Sequence, residues 1–293
     1  MNELSRDSLH RFLFEDCPVR GKLVHLDQSW RAILERYDYP EPVRRILGET
    51  MAATVLLAST VKFEGQIAVQ IQGDGPLTMV LIQCSNKLVL RGLARWQGEF
   101  DDASFRQLMS NGKMVISIEN DADNQRYQGV VPVTGATIAE SLGEYFDRSE
   151  QLPTRLWLAS GDDAVAGLLL QRMPEKVVAS DEDFWDRVCL LASTIKAEEL
   201  LDLPERQILN RLFNEDDLRL FDRLPVSFRC NCSRERVENM LKSLGADEIR
   251  GMVEEHGGVI VHCEFCNKGY EFDRIDSEGL FLSDLPAGDP TVH

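Results

Sequence analysis

The sequence has 293 residues, of which 43% are hydrophobic, so it is long enough for two or three domains with buried cores and is not that of a disordered protein. Its 49 acidic and 32 basic residues give a net charge of −17, which repels phosphate backbones and argues against nucleic-acid binding. The longest apolar run, residues 51–61, is too short for a membrane span, and residues 1–16 lack the pattern of a signal peptide. We therefore expect a cytoplasmic protein that acts on neither nucleic acid nor membrane.

Residues 1–178 are predicted to form a first domain of strands and helices. Residues 42–61 carry apolar and small side chains on two full faces, which predicts a largely buried helix. Further helices are predicted at residues 29–37, 103–109 and 137–147. Strands are predicted at residues 66–72, 77–84, 87–96, 113–119, 127–133, 154–160 and 166–173. Because the links between strands are short and polar, such as "GDGP" at residues 73–76, we expect antiparallel sheet with helices packed on it.

Residues 179–229 are predicted to form a helical linker, because acidic and large apolar residues mix there without a strand pattern. The first of three short helices would begin at an N-cap Ser180, the second would cover residues 196–203, and the third would begin near Pro204. Two apolar faces result, formed by Phe184, Val188, Leu191 and Ile195 and by Ile208, Leu209, Leu212 and Phe213. Helices this short are marginal in water, so we expect the segment to be docked on an apolar surface.

Residues 230–293 are predicted to form a small third domain. Ser233 and Asp247 are placed to cap two helices, and residues 259–272 are typical of two strands around a turn. About sixty residues with so few large apolar side chains cannot bury enough surface to fold securely alone. The domain therefore needs an additional cross-link.

Four of the seven cysteines lie in two close pairs in this domain, "CNC" at residues 230–232 and "CEFC" at residues 263–266. A reducing compartment disfavours structural disulfides, and paired thiols there more often bind metal. Cys230, Cys232, Cys263 and Cys266 match a tetrahedral site for one Zn²⁺, although iron also suits four sulfurs. Four protein ligands close the coordination shell and leave no position for a catalytic water, so we expect no zinc hydrolase.

The same thiols have a redox interpretation. Zinc keeps its ligands as thiolates, the form that oxidants attack. The spacing within each pair allows Cys230 to bond Cys232 and Cys263 to bond Cys266, in tight rings that are easily reduced again. Loss of the thiolates would expel the metal and unfold the domain. Chance cysteines and a permanently inert zinc site are the alternatives, and His256 and His262 are weaker candidate ligands.

Several segments of the chain together resemble one family, the redox-regulated 33 kDa heat-shock chaperones of bacteria. These segments are "QGDGP" at 72–76, "NGKMVISI" at 111–118, "YQGVVPV" at 127–133, "EYFDRSEQLPT" at 144–154, "LLLQRMP" at 168–174 and "CNCSRER" at 230–236 with "CEFC". The resemblance covers essentially the whole chain. It implies an α+β protein with an N-terminal antiparallel-sheet domain, a helical linker and a small C-terminal zinc-binding domain.

The resemblance also implies a function. The protein would be an ATP-independent holdase that is inactive when reduced and zinc-bound. Oxidation would form the disulfides Cys230–Cys232 and Cys263–Cys266, release zinc, unfold residues 179–229 and allow unfolding client proteins to bind, with the oxidised protein a homodimer. Residues 1–178 would bind clients and form the dimer.

Two other functions remain alternatives at this stage. A constitutive zinc-ribbon module would bind a partner without any redox switch. A thiol oxidoreductase would turn over a dithiol substrate in its metal-free form, but "CEFC" is followed by a strand pattern instead of opening a helix, so we expect no enzyme. Cys17, Cys84 and Cys189 lie outside the paired motifs and are interpreted as small apolar side chains.

Overall fold

The computed structural model describes residues 6–15, 17–98, 104–120, 125–147, 151–174 and 183–282. The chain divides into two compact units, Met1–Arg229 and Cys230–His293. Where it is described, the segment predicted as a linker belongs to the first unit. Antiparallel sheets with packed helices confirm the predicted α+β class.

The first unit contains two sheets and the helices around them. Its strands are β1 (Ser8–Phe14), β2 (Val19–Leu26), β3 (Gly65–Gln72), β4 (Leu77–Ser85), β5 (Val89–Trp96), β6 (Lys113–Asn120), β7 (Gln125–Pro132), β8 (Thr154–Ser160), β9 (Val165–Arg172), β10 (Leu218–Leu220), β11 (Leu224–Pro225) and β12 (Ser227–Phe228). Its helices are α1 (Gln28–Leu34), α2 (Glu41–Ala58), α3 (Phe105–Met109), α4 (Ile138–Tyr145), α5 (Phe184–Ala192), α6 (Ala197–Asp202) and α7 (Glu205–Phe213). Every helix and strand predicted for residues 1–178 is present within a few residues of its expected bounds.

The two sheets share one helix. Sheet A has the order β10-β1-β2-β9-β8, with β11 also paired to β1, and sheet B has the order β12-β5-β4-β3-β6-β7. Helix α2 packs against strands of both sheets and is buried along most of its length, as its sequence predicts. The largest apolar core of the first unit forms around it.

Gly48 shows how closely α2 is packed. A Cβ atom added at this position would overlap Ser160 Oγ and would lie 2.6 Å from Val165 Cγ1. We expect Gly48→Ala to lower the free energy of unfolding by about 1–3 kcal/mol through overpacking, although alanine is the better helix former by about 1 kcal/mol. Urea unfolding curves measure the effect, and a stabilised variant would contradict the close contact.

Helices α5, α6 and α7 form a second apolar core with sheet A. The rings of Phe12 and Phe14 from β1 lie with their centroids 6.3 Å and 5.1 Å from that of Phe213 in α7. The ring of Phe184 in α5 packs edge-on against Phe14 at 5.3 Å. These contacts confirm that the acidic helices are docked, and they leave β9 buried on both faces.

Three sequence expectations need correction. Residues 218–228 form β10, β11 and β12 instead of continuing a segment without strands, and β12 pairs in parallel with β5. Helix α5 begins at Phe184 after Asp183, while the predicted N-cap Ser180 lies outside the described residues. Asp247 is not an N-cap, because its helix begins one residue earlier.

The second unit is small. It contains α8 (Arg234–Leu244), α9 (Ala246–His256), β13 (Val259–His262), β14 (Gly269–Phe272) and α10 (Arg274–Leu282). Strands β13 and β14 form the predicted antiparallel hairpin, and Ser233 caps α8 as predicted by accepting from the Arg236 N–H. Among the described residues of either unit, no helix has the length and apolar character needed to cross a bilayer.

Candidate metal centre

The first cysteine pair lies in a short loop directly before α8. Ser233, which follows Cys232 directly, caps the helix and fixes its beginning at Arg234. Arg236 Nη1 donates to the Asn231 carbonyl at 2.9 Å, which orients the peptide between Cys230 and Cys232. The close Cys-x-Cys spacing is therefore supported by contacts to the first turn of the helix.

The second pair lies in the turn that joins β13 to β14. The Asn267 N–H donates to the Cys263 carbonyl at 2.7 Å, and the Cys263 N–H donates to the Lys268 carbonyl at 3.0 Å. Asn267 has a φ of 52°, a left-handed conformation that asparagine tolerates better than most residues. These bonds fold "CEFC" into a knuckle that directs its sulfurs to one side.

All four sulfurs converge, as the sequence predicted. The Cys230 and Cys263 Sγ atoms are 3.6 Å apart and those of Cys232 and Cys266 are 3.4 Å apart. Every pair of the four sulfurs lies within 4.8 Å. A tetrahedral site with zinc–sulfur bonds of 2.3 Å has sulfur–sulfur edges of about 3.8 Å, so the spacing and the donor set fit a zinc ion. The cluster could therefore hold a metal ion.

Tyr270 supplies a polar contact and was not among the predicted site residues. It lies on β14, is 6% exposed, and its hydroxyl donates to the Cys232 Sγ at 3.1 Å. The alternation of Tyr270 and Phe272 along the strand was the available signal, because it places Tyr270 on the buried side. Such donors outside the ligand set orient ligands and tune their basicity.

The pKa values of Cys230, Cys232 and Cys266 are shifted in different directions. Burial opposes ionisation of Cys232, but the hydrogen bonds from Tyr270 and the other cysteines outweigh it and lower its pKa to about 7. Burial, with the neighbouring thiols, raises the pKa of Cys266 to about 12. Burial also raises the pKa of Cys230. Without a metal, the cluster therefore favours ionisation at Cys232 over Cys230 and Cys266.

The second unit also contains a small apolar core and an arginine, Arg234, that links α8 to β14 and α10. Arg234 at the start of α8 donates to the Glu271 carbonyl at 3.0 Å and pairs with Asp276 of α10 at 2.7 Å. Its guanidinium also lies 4.3 Å from the centroid of the Phe272 ring. The buried apolar residues are Leu241, Ile249, Val253, Val259, Tyr270, Phe272 and Leu280.

The remaining cysteines and the candidate histidines lie outside the cluster. Cys84 is fully buried in the core of the first unit and burial raises its pKa to about 12, as expected for an apolar role. Cys17 and Cys189 are half-buried, and burial raises the pKa of Cys189 to about 11. The metal-type cluster found among the described residues includes neither His256 nor His262.

Known proteins match this chain along nearly all of its length. A family model described as Hsp33 protein matches residues 7–273. The 33 kDa chaperonin of Methylobacillus flagellatus is 47% identical over 280 residues, which cover 95% of this chain and 96% of that protein. The 33 kDa chaperonin of Nitrosococcus oceani is 46% identical over 283 residues, covering 97% of each chain.

A solved structure shares the fold. The crystal structure of the 33 kDa chaperonin, a heat shock protein 33 homolog, from Thermotoga maritima superimposes with a TM-score of 0.79. The match covers 95% of this chain and 99% of that chain at 20% sequence identity. At this identity, the likeness concerns the fold alone.

Proposed function

This chain belongs to the Hsp33 protein family, and from that premise we propose that it is an ATP-independent holdase chaperone switched on by oxidation. Its partners are unfolding client proteins, whose aggregation it suppresses under oxidative stress in the cytoplasm. The observation that carries the proposal is the convergence of four half-buried sulfurs in one small unit. No enzymatic reaction is assigned to the protein.

In the reduced state, we assign Cys230, Cys232, Cys263 and Cys266 as ligands of one Zn²⁺. A bound zinc ion would supply structural stabilisation to the second unit, because its four sulfur ligands leave no open position for chemistry. The Tyr270 hydroxyl would continue to donate to the Cys232 sulfur and hold it toward the other three.

Oxidation converts this centre into two disulfides. Cys230 bonds Cys232 and Cys263 bonds Cys266. Forming each disulfide transfers two electrons to one hydrogen peroxide, which takes up two protons from the solvent and leaves as two waters. The resulting neutral sulfurs would be poor ligands, so the four residues would no longer hold a zinc ion. The second unit then loses its main source of stability.

The client surface is the apolar core between sheet A and helices α5–α7. Its described members include Phe12 and Phe14 on the sheet and Leu209, Leu212 and Phe213 on α7, all buried. Cys230 follows directly after Arg229, whose N–H donates to the Leu90 carbonyl beside β12. Only Arg229 separates the second unit from β12, the last strand of the first, and we propose that unfolding of the second unit loosens residues 179–229.

In this proposal, the three segments of the chain have separate tasks. Residues 1–178 supply the sheet A side of the client surface and form the homodimer of the oxidised state. Residues 179–229 cover the client surface until oxidation, and residues 230–293 hold the redox switch. The predicted absence of nucleic-acid and membrane partners is retained.

One oxidised sample tests the proposal. Peroxide with mild heat should release about one zinc per chain, consume the four clustered thiols and switch on suppression of client aggregation. A Cys17→Ser variant is the matched control and should respond as the parent does. Zinc release without any gain in aggregation suppression would refute the switch and favour a constitutive zinc-ribbon module, which peroxide could only inactivate.

A further inference from the structure

A cavity of about 240 Å³ lies between sheet A and the connection from α6 to α7. Two histidines line it from neighbouring strands, His10 on β1 and His25 on β2. They lie on the same face of the sheet, because Ser8 is opposite His25 in the register and His10 is two residues further along β1. The redox switch proposed above uses neither residue.

His25 contacts α6 directly. Its Nε2 atom lies 2.7 Å from the Leu201 carbonyl near the end of that helix. A carbonyl only accepts hydrogen bonds, so Nε2 carries the proton of the neutral ring and Nδ1 carries the lone pair. Nδ1 is buried, and no group among the described residues hydrogen-bonds to it.

His10 has the same tautomer for a different reason. The Ser8 hydroxyl donates to the Arg6 carbonyl at 2.9 Å, so toward His10 Nε2, 3.3 Å away, it acts as an acceptor. Nε2 therefore carries the proton, and Nδ1 has the lone pair. This Nδ1 is also buried and without a hydrogen-bond partner among the described residues.

Protonation at low pH would therefore be costly in the docked state. The incoming proton on either ring must reside on Nδ1, which would create a buried N–H donor without an acceptor next to a positive charge. Once α6 and α7 leave the sheet, both rings reach water and protonate freely. Protons thus favour the undocked state over the docked one.

The charges around His25 act in both directions. Arg6 opposes its protonation, while Asp27, Asp202 and the Leu201 carbonyl favour it. Arg6 also donates to the Leu201, Asp202 and Leu203 carbonyls at 3.4, 3.3 and 3.1 Å, so it is held at the end of α6. Burial outweighs the favourable charges, and the pKa of His25 is lowered from 6.5.

His10 has a comparable balance. Glu205 of α7 lies 3.9 Å from its Nε2 and favours protonation, while Arg223 and Arg206 oppose it. Burial is again the largest influence, and the pKa of His10 is lowered from 6.5.

We propose that His10 and His25 form a proton-binding site that releases α6 and α7 from sheet A at acid pH, independently of the cysteines. The consequence for clients rests on the proposed function, because the surface uncovered would be the one assigned above to client binding. The structural response itself does not depend on that assignment.

The pH range over which docking weakens follows from the lowered pKa values of His10 and His25. At pH 7.5 and above both states hold largely neutral histidines and docking is nearly unaffected. As the pH falls below 6.5 the undocked state takes up protons before the docked state, so docking weakens until the lowered pKa values are reached. At pH 5.5 the opening equilibrium should rise by up to about tenfold per histidine and about a hundredfold for both.

Hydrogen exchange on the reduced, zinc-loaded full chain measures this opening. Protection of residues 197–213, corrected for the intrinsic effect of pH on exchange, should fall between pH 7.5 and 5.5 by the factors given above. The double variant His10→Gln with His25→Gln keeps an N–H donor near each Nε2 position but takes up no proton. Its protection should change less than about threefold over the same range.

Controls separate this site from the metal centre. His256→Gln removes an imidazole that is 65% exposed and should leave the response unchanged. Zinc content is measured at both pH values, and loss of protection that merely follows zinc loss overturns the proposal. The proposal is also overturned if protection of the parent does not change with pH, or if the double variant loses as much protection as the parent does. If the double variant does not fold, the two single variants provide the same test. Each should lose about half of the pH-dependent change in the logarithm of the protection factor.

Failure of this inference differs from failure of the redox switch. If the histidines sense protons and the switch is correct, the double variant still gains activity with peroxide at pH 7.5. If acid pH releases α6 and α7 but peroxide does not activate the protein, the proposed function is wrong and the proton-binding site is still supported.

Discussion

Removing the metal from the reduced protein should unfold the second unit, loosen residues 179–229 and leave the rest of the first unit folded. The described part of the second unit buries only a short set of apolar side chains, led by Leu241 and Phe272. Zinc binding to a structural site supplies on the order of 10–16 kcal/mol of apparent folding free energy, more than such a core provides. Hydrogen exchange after treatment with a strong chelator should show protection lost at residues 234–272 and retained in α2.

Two variants sharpen this test. Cys266→Ser removes one of the four sulfurs and should lower zinc affinity sharply without any chelator. Cys189→Ser removes a half-buried thiol of the first unit and should bind zinc as the parent does. If the second unit stays protected from hydrogen exchange after the metal is removed, zinc is not what stabilises it. Zinc loss could then not unfold the unit, and the proposed switch would be wrong.

Phe213→Ala should activate the reduced protein without an oxidant. Phe213 is 2% exposed, and its ring packs against Phe12 and Phe14 of β1. Truncating a buried phenylalanine costs about 3–5 kcal/mol. That loss falls on the contact between α7 and sheet A, so the helices should undock and uncover the apolar surface. Aggregation suppression by the reduced variant, with its zinc retained, is the measurement.

Leu190→Ala is the matched control for Phe213→Ala. Leu190 lies on α5 in the same layer of helices but is 70% exposed, so its truncation should change stability by less than about 0.5 kcal/mol and leave the reduced protein inactive. If hydrogen exchange shows α7 open in Phe213→Ala while client aggregation is unaffected, the client surface lies elsewhere.

Much of the local structure was predictable because it depends on neighbours in sequence. Alternating apolar residues predicted β3, which is buried at every second position, and the polar "GDGP" link predicted its hairpin with β4. The cysteine cluster was predictable because the two cysteine pairs and the turn between β13 and β14 are set by short segments. For these features, the chemistry of the side chains and their spacing within short segments were sufficient for prediction.

Strands β1 and β2 were not predicted because their burial depends on distant partners. Lys22 on β2 is 3% exposed, and its amino group donates to Ser59 Oγ and Thr60 Oγ1, each at 2.9 Å, after the end of α2. Burial lowers its pKa to about 7, with Arg20 and Arg11 adding to the effect. A lysine marks a solvent-facing position in sequence patterns, and only the tertiary contact with two hydroxyls makes it an interior residue.

The sequence by itself determined the class of fold, the docked character of residues 184–213 and the four sulfurs, because periodicity and ligand spacing are local properties. Tertiary structure alone decided that β10 pairs with β1, that Tyr270 donates to Cys232, and that His10 and His25 meet the connection between α6 and α7. Each of these contacts joins segments far apart in the chain, and its energy depends on the register and burial that packing creates.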